Sequence, residues 1–364
     1  MMKKITALLL ALAMVFALCA CGNGDKDKDK DKDGDKAKIK VGFIFLHDEN
    51  STYDLNFMNA AEAACKNLGV EYVFKKNIPE DQKCYDAAAE LAEEGCNIIF
   101  ADSFGHEPFI IEAAKEFPDV QFCHSTGTLA HTEKLSNYHN AFASIYEGRY
   151  LAGIAAGLKL NEMIANGEFT ADEAKMGYVG AFTYAEVISG YTSFFLGARS
   201  VCPSVTMDVT FTGSWSYNGS TVSACPNTFI VSSRIDWTPY YEYAIKAVMN
   251  GETIDTDWTG TLATGSVVLT DVNEKAAAEG TAKAIADATA KLEDGSLKVF
   301  DITTFTVKGK QLDSYMADVD TDKDYTPDTE AVKDGAFLES TYRSAPYFDV
   351  QIDGINLLDT NFGS

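Results

Sequence analysis

Polar, small and aromatic side chains follow several apolar runs of this chain, at the point where each run ends. The candidate binding residues at these positions are Tyr53, Asp54, Asn56, Asp102, Ser103, Phe104, Ser125, Thr126, Gly127, Phe182 and Trp215. Hydroxyl, carboxyl and amide groups exchange hydrogen bonds with a polar ligand, and aromatic rings stack on a flat one. The set therefore predicts a site for a small, planar, uncharged molecule.

Glycine, serine and aspartate also form ordinary turns and helix caps after strands. Any one of them is as well explained by loop structure as by ligand binding. Turns do not need large aromatic rings, however, and Tyr53, Phe104, Phe182 and Trp215 follow four different apolar runs. The rings therefore carry the prediction of a binding site, and the small polar residues only add to it.

The candidate residues lie between elements that alternate in type. Short apolar runs predict strands at Ile39–Leu46, Val70–Phe74, Asn97–Ala101, Val120–His124, Lys175–Val179, Thr206–Thr212, Phe229–Ser232 and Ser266–Leu269. Amphipathic runs predict helices at Asp54–Leu68, Asp81–Glu94, Glu107–Phe117, Tyr146–Ile164, Ala185–Val201, Tyr240–Met249 and Glu274–Leu292. Strands separated by helices of this length require parallel crossovers, so the fold class is α/β. In such sheets ligands bind beyond the carboxyl ends of the strands, where the candidate residues fall.

At 364 residues the chain exceeds one typical domain, and its order of elements indicates two Rossmann-like lobes. We expect lobe 1 to comprise residues 38–139 with about 236–260, and lobe 2 to comprise residues 140–235 with about 261–308. Residues 309–364 contain dispersed aromatic and acidic residues and predict a β-rich C-terminal extension.

The N-terminus has the pattern of an export signal. Lys3 and Lys4 precede an apolar stretch, Ile5–Leu18, and small residues lead to Cys21. This predicts a signal peptide over residues 1–20 and a lipid attached to Cys21, followed by a solvated Asp-Lys linker over residues 21–37. The chain would then be anchored on the outer face of the cell membrane. The alternative is an ordinary cleaved secretory signal with a charged spacer.

Composition bears on the partners of this chain and on the state of its cysteines. The formal net charge is −24 and no basic patch is present, so nucleic acid is not an expected partner. Six cysteines lie beyond the export signal, and none forms a Cys-x-x-Cys pair. We expect these thiols to be mostly reduced and buried, as small apolar residues.

Several stretches are typical of one known family. They are Leu91–Phe100, Ala114–Phe122, Tyr146–Gly153, Lys175–Val179, Gly197–Val201 and Trp237–Gly251. With these stretches the chain resembles the basic membrane protein family of ABC-transporter substrate-binding lipoproteins, which includes purine-nucleoside receptors. The resemblance implies a type I periplasmic-binding fold whose two lobes close on a ligand by a hinge. It also implies a monomer that delivers a purine nucleoside or base to an ABC permease, without a cofactor and without catalysis.

The chain departs from this family at two places. Nucleoside-binding members have an aromatic residue followed by an Asn-Asp doublet, whereas here Tyr53 is followed by Asp54 and Leu55, with Asn56 next. After Trp215 the chain also lacks a segment of about 30 residues, the size of a βαβ unit. The second lobe is therefore expected to be shortened, which leaves a truncated family member with impaired ligand binding as an alternative.

Two other classes of protein are alternatives. His47, His106 and His124 lie at strand ends near Asp48, Glu49 and Glu107 and could form a metal receptor, but no His-x-x-His or His-x-x-x-His spacing is present. An enzyme is not indicated, because the chain has no Gly-x-Ser-x-Gly, phosphate-binding loop or dinucleotide motif. A solute receptor remains the prediction.

Overall fold

The computed structural model describes residues 39–214, 223–320, 324 and 326–359. The predicted signal peptide, Cys21 with its linker, and the candidate residue Trp215 lie outside this part of the chain. The strands are β1 (Lys40–Ile44), β2 (Glu71–Lys75), β3 (Ile98–Ala101), β4 (Gln121–Ser125), β5 (Tyr138–Ala143), β6 (Lys175–Gly180), β7 (Thr206–Phe211), β8 (Ser233–Ile235), β9 (Asp257–Gly260), β10 (Val267–Leu269), β11 (Met316–Ala317), β12 (Thr329–Glu330), β13 (Val332–Lys333), β14 (Ala336–Phe337) and β15 (Ile355–Leu357).

The helices alternate with the longer strands. They are α1 (Thr52–Leu68), α2 (Gln82–Glu93), α3 (Glu107–Glu116), α4 (Ala130–Glu133), α5 (Ile145–Ala165), α6 (Ala185–Val201), α7 (Thr238–Asn250) and α8 (Thr281–Glu293), with short 3₁₀ turns at Phe104–His106 and Ala171–Glu173. This order confirms the α/β fold class that the sequence predicts.

The larger sheet has six parallel strands in the order β2-β1-β3-β4-β5-β9. Its central strands β3 and β5 are buried along their whole length, as expected where helices cover both faces of a parallel sheet. We call this sheet, together with α1–α4 and α7, the first lobe.

The smaller sheet has three parallel strands in the order β15-β7-β6. Helices α5, α6 and α8 pack with it in a separate apolar core, and together they form what we call the second lobe. The two lobes are connected by the passage from β5 to α5, by β8 leading into α7, and by the passage from β9 to β10. Strands β8 and β10 form an antiparallel pair.

Glycines bring α5 and α6 into close contact. A Cβ atom at Gly197 would lie 2.0 Å from the carbonyl oxygen of Tyr150, and one at Gly153 would lie 2.0 Å from that of Phe194. No side chain fits at these distances, so the two helices approach each other backbone to backbone. This contact holds the N-terminal half of α5 against the C-terminal half of α6.

The C-terminal segment completes the second lobe. The sequence predicts a β-rich extension after residue 308, and five short strands, β11 to β15, do lie there. The segment is also integrated into the second lobe, because β15 pairs with β7. Phe348 is fully buried, with its ring 4.3 Å from that of Phe300 and 4.7 Å from that of Phe337.

Several local predictions were wrong. The expected strand at Phe229–Ser232 lies instead at Ser233–Ile235, where the chain meets β10. The helix expected from Glu274 begins at Thr281, directly after Gly280 with φ 81°. Strands β5 and β9 were not predicted. Strand β5 includes His139 and Asn140, whose polarity hid the strand, although both are buried in the sheet.

Candidate functional site

The first turn of α1 carries a carboxylate, Asp54, that points inward and is held by the loop before the helix. Asp54 is fully buried and accepts hydrogen bonds from the backbone N–H of His47 (2.8 Å), from His47 Nδ1 (3.1 Å) and from Ser51 Oγ (2.5 Å). Burial alone would raise the pKa of Asp54, but the hydrogen bonds from Ser51 and His47 outweigh it and lower the pKa. Asp54 is therefore a charged group that the loop itself satisfies.

Asp102, at the end of β3, lies next to Asp54. Its side chain is 1% exposed, and its Oδ1 accepts a hydrogen bond from the backbone N–H of Leu46 at 3.3 Å. Burial and then the negative charge of Asp54 raise the pKa of Asp102 well above its ordinary value. This shift favours the protonated form of Asp102 beside the charged carboxylate of Asp54. The two carboxyl groups stabilise the cleft wall of the first lobe from inside.

Two aromatic rings lie on the same edge of the sheet and face outward. Tyr53 is 49% exposed and Phe104 is 60% exposed. The hydroxyl of Tyr53 points inward and donates to the backbone carbonyl of Asp102 at 2.9 Å, while its ring packs 4.9 Å from the ring of Phe57. Tyr53 is thus held by its hydroxyl and by Phe57, while about half of the residue remains exposed.

The other candidate residues of the first and third strand ends are engaged within the protein. The Asn56 amide donates to the carbonyl of Ile235 at 2.9 Å, and so ties α1 to the segment that connects the lobes. Ser103 Oγ donates to Glu80 Oε1 at 2.5 Å. The side chains of Asn56 and Ser103 thus hold neighbouring segments of the protein in place.

The turn after β4 is organised by a carboxylate that the sequence suggested only as a metal ligand. Glu107, at the start of α3, is 3% exposed and accepts hydrogen bonds from the backbone N–H groups of Thr128 (2.7 Å) and Leu129 (2.9 Å) and from the Tyr138 hydroxyl (2.9 Å). A Cβ at Gly127 would lie 2.5 Å from Glu107 Oε1, so this position requires glycine. The signal in the sequence that could have revealed this role was the acidic residue Glu107 at the start of a predicted helix.

The other two residues of this turn complete the wall. Ser125 is fully buried, and Thr126 adopts a left-handed backbone with φ 78° while its N–H donates to the carbonyl of Ala141 at 2.8 Å. The backbone of the turn is therefore tightly held. Ser125, Thr126 and Gly127 shape the edge of the sheet in this conformation.

The second lobe contributes a cavity of about 200 Å³ at the carboxyl ends of β6 and β7. Its lining residues are Ile145, Arg149, Tyr178, Val179, Gly180, Ala181, Glu186, Val187, Gly190, Thr212 and Ser214. Phe182 follows directly after this wall, with its ring 5.6 Å from that of Tyr184. Exposed aromatic rings therefore lie at strand ends in both lobes.

Sequence reasoning missed the charged residues of this cavity. Arg149 lies on α5 and Glu186 in the first turn of α6, and both line the cavity. Burial raises the pKa of Glu186, and the positive charge of Arg149 offsets part of the rise. The carboxylate of Glu186 also contributes to a raised pKa of Tyr53, after burial and Asp102.

The histidines do not assemble as the metal alternative requires. His106 Nε2 pairs with the carbonyl of Ile78 at 2.8 Å and His124 Nε2 with that of Ser103 at 2.7 Å, while His47 pairs with Asp54. Among the described residues, no three His, Cys, Asp or Glu side chains are arranged to hold a metal ion. The cysteines that the structure describes are free thiols, and all but Cys225 are buried.

The described helices include none that combines the length and apolarity needed to cross a membrane.

Two known proteins are similar in sequence to parts of this chain. Over 180 residues the chain is 34% identical to a purine-binding protein of Brucella abortus, covering 48% of this chain and 47% of that protein. Over 126 residues it is 32% identical to a putative ABC transporter glucose-binding protein of Haloferax volcanii, covering 35% of this chain and 28% of that protein. The chain thus spans about half the length, or less, of these curated relatives.

A solved structure shares the fold. The solute-binding protein of an ABC transporter system from Conexibacter woesei superposes with a TM-score of 0.55 at 17% identity, covering 71% of this chain and 98% of that one. At this identity the likeness concerns the fold alone. The model of one family, described as ABC transporter substrate-binding protein PnrA-like, matches residues 45–224, just under half of the chain. Over these residues the chain is similar to that family of PnrA-like ABC transporter substrate-binding proteins.

Proposed function

We propose that this protein is an extracytoplasmic lipoprotein that binds a purine nucleoside or base between its two lobes and delivers it to an ABC permease, without catalysing a reaction. The observations that support this most directly are the exposed rings of Tyr53 and Phe104 at strand ends of the first lobe and the cavity at strand ends of the second. A planar ligand stacked on such rings gains about 1–3 kcal/mol per ring.

The domain boundaries expected from the sequence remain part of this proposal. Lobe 1 would comprise residues 38–139 with about 236–260, and lobe 2 residues 140–235 with about 261–308. Residues 309–364 would then act as a C-terminal addition that supports lobe 2. Closure of the two lobes about the connecting segments would bring the rings and the cavity onto the ligand.

The ligand assignment is tested by calorimetric titration of the full chain with adenosine, inosine, guanosine, adenine and glucose. We expect at least one purine compound to bind, and Tyr53→Ala to weaken binding about 5- to 150-fold, the equivalent of 1–3 kcal/mol. Tyr342→Ala removes a tyrosine that is 40% exposed and does not line the cavity, so it serves as the matched control.

Other outcomes would replace the assignment. Binding of glucose alone would indicate a sugar receptor, in line with the name of the Haloferax relative. Zinc is titrated in parallel, and binding of zinc alone would favour the metal-receptor alternative. Absence of binding for every compound would indicate a family member whose ligand binding is impaired.

Membrane attachment is tested separately. Lasting anchorage needs more than one acyl chain, so we expect Cys21 to carry several. A chain with this lipid would enter the detergent phase of a phase-separation experiment. We expect Cys21→Ala to move the protein to the aqueous phase. Retention of the variant in the detergent phase would contradict the lipid anchor.

A further inference from the structure

A loop of the C-terminal segment reaches from the second lobe to the first. Residues 339–347 form a compact loop whose ends lie close together, because the N–H of Tyr347 donates to the carbonyl of Glu339 at 3.4 Å. Both ends are held in the second lobe. Glu339 accepts a hydrogen bond from Ser189 Oγ on α6 at 2.5 Å, and Tyr347 and Phe348 are buried in the second core. The loop is therefore built on the second lobe.

The tip of this loop contacts the edge strand of the first sheet. The N–H and the Oγ of Ser344 both donate to Asp257 Oδ1, at 2.8 and 2.7 Å, and Ser344 is fully buried. Two positions further along β9, Thr259 Oγ1 donates to the carbonyl of Ser340 at 3.4 Å. The loop thus runs antiparallel beside β9, which is the last strand of its sheet, and covers part of that edge.

The carboxylate of Asp257 joins three segments at this contact. Its Oδ2 lies 3.1 Å from Nδ1 of His131, on α4, so that a helix, a strand and the loop share one acceptor group. Burial alone would raise the pKa of Asp257, but the hydrogen bonds from His131 and Ser344 outweigh it and lower the pKa. Hydrogen bonds to a charged acceptor are roughly twice as strong as those between neutral groups. The loop therefore meets the first lobe at a charged and mostly buried acceptor.

A second contact between the lobes lies on the same helix of the first lobe. The hydroxyl of Thr132, also on α4, donates to the carbonyl of Asp320 in the C-terminal segment. Arg343 connects the two contacts, because its buried guanidinium donates to the carbonyl of Val319 at 3.0 Å and to that of Ala345 at 3.0 Å. The chain near residue 320 and the loop are therefore held together where they contact the first lobe.

These contacts lie apart from the covalent connections between the lobes. Asp257 is the first residue of β9, whereas the passage to β10 begins after Gly260, about 10 Å further along the strand. When one lobe rotates about the connecting segments, groups at a distance from the axis move the most. A separation of about 1 Å is enough to break a hydrogen bond of this length. The lobes therefore cannot rotate apart here without losing these contacts.

We propose that the 339–347 loop is a latch between the lobes, whose contacts with Asp257 and with α4 hold the lobes in this arrangement and limit how often they separate. A contact that exists in only one arrangement stabilises that arrangement alone, so its loss shifts the population toward separated lobes. This inference goes beyond the proposed function. It concerns the motion of the lobes and does not depend on which ligand the protein binds.

The experiment measures the distance between the lobes by pulsed electron–electron double resonance on the full chain without ligand. Spin labels are attached to non-canonical residues that replace Glu93 on α2 and Ala286 on α8, which are both exposed. In the otherwise unmodified protein we expect one narrow distance distribution. In Asp257→Ala a second population should appear, because the loss of hydrogen bonds to a charged group raises the ratio of separated to latched molecules about 10- to 100-fold.

A second variant tests the latch without removing a charge. Thr132→Val combined with Thr259→Val removes the two hydroxyl donors and retains β-branched side chains, and it should raise the same ratio by a smaller factor of about 3 to 10. The control is Glu252→Ala, which removes an exposed negative charge between α7 and β9 and should leave the distance distribution unchanged.

The outcomes decide the inference separately from the proposed function. A distance distribution that is the same in the latch variants and in the unmodified protein would overturn the latch, and so would an equal change in Glu252→Ala. If the melting curve shows that Asp257→Ala does not fold, the variant at Thr132 and Thr259 decides alone. Failure of every purine to bind would overturn the proposed ligand and leave the latch intact, since the distances are measured without ligand.

Discussion

The two lobes treat their polar side chains in different ways. In the first lobe Asp54 accepts hydrogen bonds from protein donors, and burial together with the charge of Asp54 raises the pKa of Asp102. In the second lobe Arg149 Nε is buried without a hydrogen-bond partner among the described residues, as Asp102 Oδ2 and Ser125 Oγ are in the first lobe, and burial raises the pKa of Glu147 and Glu339. Asp54 of the first lobe is thus kept charged by its donors, whereas burial favours the protonated form of Glu147 and Glu339 in the second lobe.

The sheets of the two lobes also differ in size. The first sheet gathers six strands, whereas the second has three, one of which comes from the C-terminal segment. A small sheet buries less apolar surface, so each long-range contact contributes a larger share of its stability. Substitutions should therefore distinguish the lobes, and four expected effects follow from the largest to the smallest.

The largest effect is expected at the contact that joins the C-terminal segment to the second core. Phe348→Ala should lower the free energy of unfolding by about 3–5 kcal/mol, because a fully buried ring is replaced by a cavity. Hydrogen exchange should show protection lost first in β6 and β7 and retained in β1 and β3. Equal loss in both sheets would show that the lobes unfold as one unit.

The second effect concerns pH. Burial raises the pKa of Glu339 to about 8, and that of Glu147 to about 7, from an ordinary value of about 4.3. Between pH 5 and 8 the folded chain retains protons that the unfolded chain has lost, so stability is highest at the acid end and falls as the pH rises. Each group contributes up to about 1 kcal/mol per pH unit within its window.

Urea midpoints at pH 5, 6, 7 and 8 measure this dependence. Glu339→Gln should make the decline visibly shallower, because the neutral amide cannot titrate, whereas Glu252→Gln should leave it as in the unmodified protein. A decline of the same slope in both variants would assign the pH dependence to the general negative charge of the chain.

The third effect tests the close packing of α5 and α6. Gly197→Ala places a methyl group against the backbone of Tyr150 and should cost about 1–3 kcal/mol as the helices move apart. A Cβ at Gly177, on β6, would have no neighbouring atom within 4 Å, so Gly177→Ala is the control and should change stability by less than about 0.5 kcal/mol. Thermal melts of the two variants should differ accordingly; matching melts would contradict the close approach.

The smallest effect is expected in the first lobe. Tyr53→Phe removes the hydrogen bond to the carbonyl of Asp102 but retains the ring, and it should cost about 1 kcal/mol of stability. Purine affinity should change little, in contrast to Tyr53→Ala. A large loss of affinity in Tyr53→Phe would show that the hydroxyl, and not the ring surface, contacts the ligand.

The order of strands and helices could be predicted from the sequence because apolar periodicity is a local signal. Helix α6 was predicted with both its bounds, and most of the other elements to within a few residues. Strand β5 was missed because His139 and Asn140 are polar, yet their partners within the sheet bury them. The shift of β8 reflects pairing with β10, which no local pattern contains.

The candidate site was only partly visible in the sequence. Exposed rings at strand ends followed from the alternation of elements, and Tyr53 and Phe104 are exposed at those places. The sequence did not reveal that Arg149 and Glu186 line the cavity, because both lie on helices, where a charged residue usually faces solvent. Only the approach of α5 to α6 brings them to one cavity.

The sequence by itself determined the α/β class, the alternation of elements and the aromatic character of the cleft edge, since each depends on neighbours within a few positions. The tertiary structure decided which polar groups are satisfied and which are open. That choice depends on partners far apart in the chain, such as Asn56 with Ile235 and β7 with β15, whose contact is set by packing and not by local pattern.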